Sequence, residues 1–155
     1  MSGQLPLQGL RVLDLASFIA GPVASTVMGD YGAEVIKIEP PGEGDPQRKL
    51  GQAHSIPQHP VNFCWHMTNR NKRSVVLDLK NPLGREAFDR LVTTADVMVV
   101  NFPLKVRERL RMRYTDVKPA NPRLIYASMT GYGEQGPDAE QPGFDSTAFF
   151  ARSGL

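Results

Sequence analysis

The chain has 155 residues, of which 41% are apolar and 22% charged, so it has room for one folded domain with its own core and is not a disordered segment. No apolar run approaches the roughly 20 residues that a membrane helix needs, and the first residues lack the features of a signal peptide, so we expect a cytoplasmic protein. A net charge of +2 is too small to indicate nucleic acid as a partner, and a single cysteine with three scattered histidines predicts no metal site.

The first half of the chain predicts strands and helices in alternation. A strand is expected over residues 11–17, and Pro22 suits the first turn of a helix that ends at Gly32. A second strand is expected at 34–39, followed by a loop rich in Pro and Gly. Residues 46–70 show little periodicity and are predicted to be irregular.

The second half continues the alternation. After a third strand at 74–80, Asn81 and Pro82 fit the cap and first position of a helix. Its apolar face is expected to carry Leu83, Ala87, Phe88, Leu91 and Val92. The remaining predicted elements are a strand at 96–102, a basic helix at 104–112, a short helical turn near 115–119, a strand at 123–129, and a helix that Asp145 or Ser146 caps and that runs through Arg152.

This alternation predicts a doubly wound α/β fold with a mostly parallel, Rossmann-like sheet and helices on both faces. Ligands of such sheets bind beyond the carboxyl ends of the strands. The site is therefore expected among the segments that follow the strands, which are Ala16–Pro22, Pro40–Arg48, Lys80–Pro82, Asn101–Pro103 and the stretch from Thr130 onward.

Residues 131–136 read GYGEQG and match the dinucleotide fingerprint G-x-G-x-x-G. A dinucleotide site needs a helix directly after the last glycine, and Pro137 and Pro142 prevent one. The motif also follows the fifth predicted strand, whereas dinucleotide folds carry it after the first. We therefore expect a glycine-rich loop that lines a ligand site, and an NAD(P) site is the weakest alternative.

Two basic clusters indicate either a solvent-exposed surface or an anionic ligand. The first surrounds Arg70, Lys72 and Arg73, with Lys80 at the end of the strand that follows. The second carries Lys105, Arg107, Arg109, Arg111 and Arg113. Arg and Lys at strand ends suit phosphate groups, and a small polyphosphate fits better than a nucleic acid, which would need aromatic platforms beside the charge.

Four segments in register resemble family III CoA-transferases, which include formyl-CoA transferase, carnitine CoA-transferase and 2-methylacyl-CoA racemases. In chain order they are LQGLRVLDLASFIAGPVASTVMGDYGAEVIKIEPPGEGD, NKRSVVLDLK, ADVMVVNF and NPRLIYASMTGYGEQGP. The resemblance implies that residues 1–155 are the N-terminal, CoA-binding part of the family's large domain, with the small domain and the return of the chain absent. It also implies coenzyme A or acyl-CoA as a substrate, a carboxylic acid as the second substrate, no tightly bound cofactor, and an interlocked homodimer of full-length chains.

The resemblance implies a set of CoA-contacting residues, namely Ile19, Ala20, Leu77, Asp78, Leu79, Lys80, Asn101, Phe102, Arg109, Gly131 and Tyr132. The first two would contact CoA through their backbone, and residues 77–80 would lie along the adenosine and phosphates. Lys80 and Arg109 would supply positive charge to the phosphates. Gly131 and Tyr132 would approach the pantetheine arm or the thioester.

In the family, an aspartate attacks the acyl-CoA, and an aspartyl-CoA thioester follows. The resemblance implies that this aspartate lies beyond Leu155, so no catalytic residue is expected in this chain, and Asp145 is interpreted as a helix cap. The racemase branch carries histidine where this chain has Phe144, and a phenylalanine cannot exchange a proton. Transfer is therefore favoured over racemisation, and a non-catalytic CoA-binding or assembly module is the other alternative.

Overall fold

The computed structural model describes residues 3–154, with the backbone alone at positions 145 and 151. Its strands are β1 (Arg11–Asp14), β2 (Glu34–Glu39), β3 (Lys72–Val76), β4 (Val97–Val100) and β5 (Ile125–Ser128). Its α-helices are α1 (Ala20–Asp30), α2 (Gln47–Leu50), α3 (Phe63–Asn69), α4 (Pro82–Thr93), α5 (Leu104–Arg109) and α6 (Tyr114–Val117). A π-helix spans Asp145–Ala151.

The five strands form one parallel sheet in the order β3-β2-β1-β4-β5. Val12 of β1 lies opposite Val35 of β2 on one side and Val97 of β4 on the other. The chain first builds the sheet outward from β1 to β3 and then crosses to the other side of β1, so the order reverses between β1 and β4. This confirms the predicted doubly wound fold and places its switch point at the ends of these two strands.

Successive residues of the central strands supply two separate cores. On one face Val12, Val35 and Val99 pack with Met28 of α1. On the other face, Leu13 belongs to a larger cluster that includes Phe88 from α4. Because side chains alternate along a strand, one apolar run covers both faces, which is the pattern expected of a parallel sheet between two helical layers.

Helix α4 begins as the sequence predicts, since the Asn81 side chain accepts the Leu83 N–H at 2.9 Å. The predicted apolar face is wrong at Leu83, which is 75% exposed. A Cβ at Gly84 would lie 2.2 Å from the carbonyl oxygen of Asp78. Backbone packing at Gly84 therefore replaces side-chain packing in the first turn, and the buried face begins one turn later, at Phe88.

Other element boundaries also differ from the sequence prediction, and the strands are shorter than expected. Residues 46–70 are not irregular throughout, because they contain α2 and α3, and Asn62 caps α3 by accepting the Trp65 N–H. Strand β3 ends at Val76, since β2 stops before Pro40, which has no N–H to offer a neighbour.

The N-cap position of the last helix is Phe144, one or two residues before the Asp145 or Ser146 that the sequence predicts. The π-helix begins at Asp145, and Phe144 takes the N-cap position. The Phe144 N–H donates to the Thr147 hydroxyl at 3.2 Å.

Candidate functional site

Three cavities lie in a row at the carboxyl edge of the sheet. The basic cavity, of about 790 Å³, lies beside α4 and the turn after α5. The middle cavity, of about 230 Å³, lies at the ends of β1 to β4, and the inner cavity, of about 250 Å³, lies between the ends of β4 and β5 and the start of α1. Leu79 and Lys80 border both the basic and the middle cavity, and Phe102 borders both the middle and the inner cavity. Neighbouring cavities therefore share wall residues, and the three lie in the order basic, middle, inner.

Most of the predicted CoA residues line this row. The basic cavity includes Leu79, Lys80 and Arg109, the middle one Leu77, Asp78, Leu79, Lys80 and Phe102, and the inner one Ala20, Asn101, Phe102 and Gly131. Ile19 and Tyr132 line none of the three. Ile19 is the half-exposed N-cap residue of α1, and the Tyr132 ring lies 5.2 Å from the Arg152 guanidinium.

The wall of the basic cavity carries an excess of positive charge. Its charged residues are Lys80, Arg85, Arg90, Arg109 and Arg111, with Glu86 and Asp89. Arg85 is paired with Asp89 at 2.6 Å. By contrast, no ion pair joins Lys80 or Arg109 to any residue whose side chain is described. Their charges are available to an anion such as a phosphate.

Arg85 fixes the turn that brings Arg109 to this cavity. Its guanidinium donates to the carbonyl oxygens of Leu110 at 2.7 Å and Arg111 at 2.6 Å. Arg111 has a φ of 50°, which is uncommon for a residue with a side chain. The helix expected over 104–112 is therefore too long, because the chain leaves α5 at Arg109.

Asn101 joins the ends of β1 and β4 at the switch point. Its amide nitrogen donates to the Ser17 carbonyl at 2.8 Å, and its amide oxygen accepts the Ser17 N–H at 2.9 Å. These paired bonds hold the two strand ends together at the place where doubly wound folds bind ligands. Asn101 thus shapes the inner cavity through the backbone of Ser17.

Buried charges lie beneath the loop that follows β1. Asp14 is fully buried and accepts a hydrogen bond from Lys72 Nζ at 2.8 Å. Lys37, also buried, has its Nζ 2.8 Å from Asp45 Oδ2 and donates to the Ala16 carbonyl at 2.8 Å. An isolated charge at this depth would be costly, and the mutual pairing explains how the fold accommodates four of them.

Glu39 closes β2 at the border of the middle cavity. Burial alone would raise the pKa of its carboxyl group. Hydrogen bonds from Arg48, from the Ser74 hydroxyl and from the Asp45 N–H outweigh burial and lower that pKa from 4.5 to about 2. Glu39 is therefore ionised in the folded protein and joins the loop after β2 to the sheet.

The glycine-rich loop, residues 130–144, contains no helix. Gly133 and Gly136 have φ angles of 88° and 96°, which glycine adopts at low cost. Gly131 and Gly143 cross closely, because a Cβ on Gly143 would lie 2.4 Å from the Gly131 Cα. The glycines therefore form a loop that returns on itself beside the inner cavity, and no helix follows Gly136 to receive a dinucleotide pyrophosphate.

Arg107 anchors this loop from α5 and is 1% exposed. Its guanidinium donates to the carbonyl oxygens of Phe102 at 2.6 Å and Met129 at 3.1 Å, and to Glu134 at 2.8 Å. The anion-binding interpretation of the second basic cluster is wrong for this residue, because its donors are used inside the protein.

The first basic cluster is also paired internally. The pairs are Arg70 with Asp30 at 2.5 Å, Lys72 with Asp14 at 2.8 Å and Arg73 with Glu34 at 2.8 Å. An anionic ligand at this cluster would have to compete with these carboxylates. The first cluster contributes to the row of cavities only through Lys80, and the second contributes through Arg109 and Arg111.

Sequence reasoning missed the buried pair of Lys37 and Asp45. A signal was present, because alternation along EVIKIE puts Lys37 on the same face of β2 as buried Val35. A lysine on that face requires a partner. The partner lies in the loop after β2, and no periodicity identifies it.

Among the residues whose side chains are described, no His, Cys, Asp and Glu side chains cluster so that they could hold a metal ion, and no described helix is long and apolar enough to cross a bilayer. The sheet and its switch point place the chain among doubly wound α/β proteins, whose ligands bind at the carboxyl edge.

Comparison with known proteins identifies the family. The family model described as CoA-transferase family III matches residues 7–155, so the chain belongs to that family. It is 41% identical over 148 residues to the cinnamoyl-CoA:phenyllactate CoA-transferase of Clostridium sporogenes, covering 95% of this chain and 36% of the relative. It is 40% identical to the succinyl-CoA–L-malate CoA-transferase alpha subunit of Chloroflexus aurantiacus, covering 98% and 35%.

A solved structure agrees. The crystal structure of a CAIB/BAIF family protein from Brucella suis matches with a TM-score of 0.83 and 39% identity, covering 93% of this chain and 38% of that protein. The chain thus spans little more than a third of the length of these relatives. The sequence resemblance to family III is confirmed across nearly the whole chain.

Proposed function

We propose that this chain forms the CoA-binding part of a CoA-transferase that moves CoA from an acyl-CoA to a carboxylic acid. The observation that carries the proposal is the row of cavities in a family III chain, with the unpaired charges of Lys80 and Arg109 at one end. Coenzyme A is long, anionic at its nucleotide end and uncharged along its pantetheine arm. A row that is basic at one end and bordered by glycines at the other suits that shape.

The proposed orientation follows from the charges. The basic cavity would receive the phosphates through Lys80 and Arg109, and residues 77–80 would lie along the adenosine. The inner cavity, bordered by Ala20 and Gly131, would receive the pantetheine arm. Ile19 and Tyr132 would contact CoA from outside the three cavities.

The chemical steps would use an aspartate outside residues 1–155. Its carboxylate attacks the acyl carbonyl, the C–S bond breaks, and CoA leaves as the thiolate while a mixed anhydride forms. The thiolate then attacks the aspartyl carbonyl, which releases the donor acid and gives the aspartyl-CoA thioester. The acceptor acid takes CoA by the same steps in reverse. The residues described here would bind and orient CoA, and none would act as nucleophile.

Two alternatives follow from the sequence. The first is a non-catalytic CoA-binding module that works with a second chain. The racemase branch is the second, and Phe144 argues against it, since this half-exposed side chain has no proton to exchange. The cytoplasmic location and the interlocked homodimer of the full-length protein stay predictions.

Calorimetric titration with coenzyme A tests the proposal. We expect the chain to bind CoA, and the Lys80→Ala/Arg109→Ala variant to have a Kd about 100-fold higher, because two charge-assisted contacts to phosphate are lost. The matched control is Arg123→Ala/Lys49→Ala, which removes the same charge from residues that line none of the three cavities. Its Kd should stay within about twofold of the parent value.

Two results would contradict the proposal. A folded parent chain that binds no CoA would refute the site, and equal affinity in both double variants would refute the phosphate assignment. Titration with NAD⁺ in place of CoA tests the dinucleotide alternative, which requires NAD⁺ to bind in the same cavities. Pantetheine, which lacks the nucleotide, should bind equally to the parent and to Lys80→Ala/Arg109→Ala.

A further inference from the structure

The loop between β1 and α1 is held at three consecutive residues by side chains from β2, from the loop after β2 and from the end of β4, and the first two of these side chains are buried. Lys37 of β2 donates to the Ala16 carbonyl at 2.8 Å. Asn101, after β4, makes two hydrogen bonds to the backbone of Ser17. Asp45, in the loop after β2, accepts the Phe18 N–H at 3.2 Å.

The loop needs this support because Phe18, its last residue, has an unfavourable backbone conformation. Phe18 has a φ of 64°, in the left-handed region that bulky side chains rarely adopt. Such conformations persist only where the surroundings enforce them, and they concentrate at functional sites. Phe18 is 38% exposed, and its ring has a T-shaped contact with Phe144 at 5.8 Å.

The conformation of Phe18 sets the start of α1. Ile19 follows as the N-cap residue, without a side-chain cap, and the helix begins at Ala20, which borders the inner cavity. A Cβ at Gly21 would lie 2.2 Å from the Ala16 side chain, so the first turn packs directly on the loop. A change at Phe18 would therefore move the backbone of both residues proposed to contact CoA here.

We propose that Lys37 and Asp45 are positioning residues for CoA binding, which hold the loop of Ala16–Phe18 so that Ala20 presents its backbone to the inner cavity and Ile19 presents its backbone just outside it. Their side chains are 1% and 2% exposed, and their charged atoms lie 2.8 Å apart. Neither residue lines the three cavities, so both act through the loop. This inference rests on the CoA contact proposed above.

The pairing gives the loop its position through charge as well as hydrogen bonds. Lys37 Nζ lies 3.7 Å from Asp14, which Lys72 also neutralises, so the pair of Lys37 and Asp45 is one part of a larger buried cluster. Removing both members together leaves Asp14 paired with Lys72. Replacing a buried ion pair by apolar side chains often preserves stability. The double variant can therefore distinguish an effect on the loop position from a loss of folding.

The test is CoA affinity in the full chain of the Lys37→Met/Asp45→Leu variant. We expect its Kd for CoA to rise about tenfold, since the preorganised contacts at Ile19 and Ala20 are lost, while its melting temperature stays near that of the parent. Hydrogen exchange should quicken at the amides of Phe18 and Gly21 and stay unchanged in β4. The matched control is Arg70→Met/Asp30→Leu, which removes an ion pair on the outer face of α1 and should change neither the Kd nor these amides.

A second variant covers the case in which the double variant does not fold. Asp45→Asn leaves Lys37 beside Asp14 and keeps an oxygen for the Phe18 N–H, so its Kd should rise only about threefold. A parent-like Kd in a folded double variant, or in Asp45→Asn if only that variant folds, would overturn the positioning role and leave the proposed function intact. Absence of CoA binding by the parent chain would overturn the proposed function itself, and this inference with it.

Discussion

The two sides of the candidate site are held in different ways. On the β1 side, the cation Lys37 is enclosed with two carboxylates that are themselves buried, Asp14 and Asp45. On the β5 side, the cation Arg107 is equally buried, but its carboxylate partner Glu134 is 49% exposed and belongs to a loop of glycines. Charges paired away from water are screened little, whereas a half-exposed pair is weaker and salt-sensitive. The first side is therefore held by charges enclosed in the protein. On the second side Arg107 is the buried anchor, and the other ion pairs of the loop, such as Lys105 with Glu140, are exposed.

The largest expected effect is at that anchor. Arg107→Met should lower the free energy of unfolding by about 3 kcal/mol, because the carbonyl oxygens of Phe102 and Met129 lose buried donors. Urea unfolding followed by circular dichroism measures the change. Lys105→Met, on the same helix with its side chain 79% exposed, is the control and should change stability by less than about 0.5 kcal/mol. Equal effects for the two variants would show that Arg107 anchors nothing.

A smaller effect is expected where the glycine-rich loop crosses itself. Gly143→Ala should cost about 2 kcal/mol of unfolding free energy, since its Cβ would overlap the backbone of Gly131. Gly136→Ala should cost about 1 kcal/mol, because its Cβ meets open space and only its left-handed φ is penalised. The same urea measurement decides between them. Reversal of this order would show that the crossing is loose and that the loop is not fixed at its ends.

The last effect concerns Glu39, on the side of β1, and it is measured as a loss of stability in acid. The pKa of Glu39 in the folded protein is about 2, below its ordinary value of 4.5, so the charged carboxylate stabilises the fold above pH 4.5. That contribution should be lost as the pH falls from 4.5 towards 2. Unfolding free energies measured across this range should decline less steeply in Glu39→Gln. Glu43→Gln, whose side chain is 76% exposed, should keep the parent slope.

The fold could be predicted because its signals are local. The apolar run VMVV forms β4, and Asn81 and Pro82 begin α4. Each of these signals determines the structure of its own residues or of those next to it. The predicted burial of Leu83 is wrong because helical spacing alone cannot reveal that Gly84 packs against Asp78 in the preceding loop. The sequence pattern predicts the helix, but the close approach of the Asp78 backbone determines which face of its first turn is buried.

The sequence predicts where the site lies but not which residues hold its walls in place. Lys80 and Arg109 follow from charge, position and family resemblance, and they meet in the basic cavity. Arg107 stands two residues from Arg109 in the same basic run, yet one is buried and structural while the other is unpaired. Only the course of the chain after β5, which supplies Glu134 and the Met129 carbonyl, distinguishes them.

The contact between Gly131 and Gly143 has a consequence for variation in chain length. The two glycines bring the ends of the intervening segment together. The number of residues between them can therefore change while the two ends stay in contact. Closing a loop twice as long costs only about 0.6 kcal/mol more. Insertions or deletions between Gln135 and Asp138 should therefore leave the sheet and α1 unchanged, whereas changes at 139–142 would alter the wall of the inner cavity.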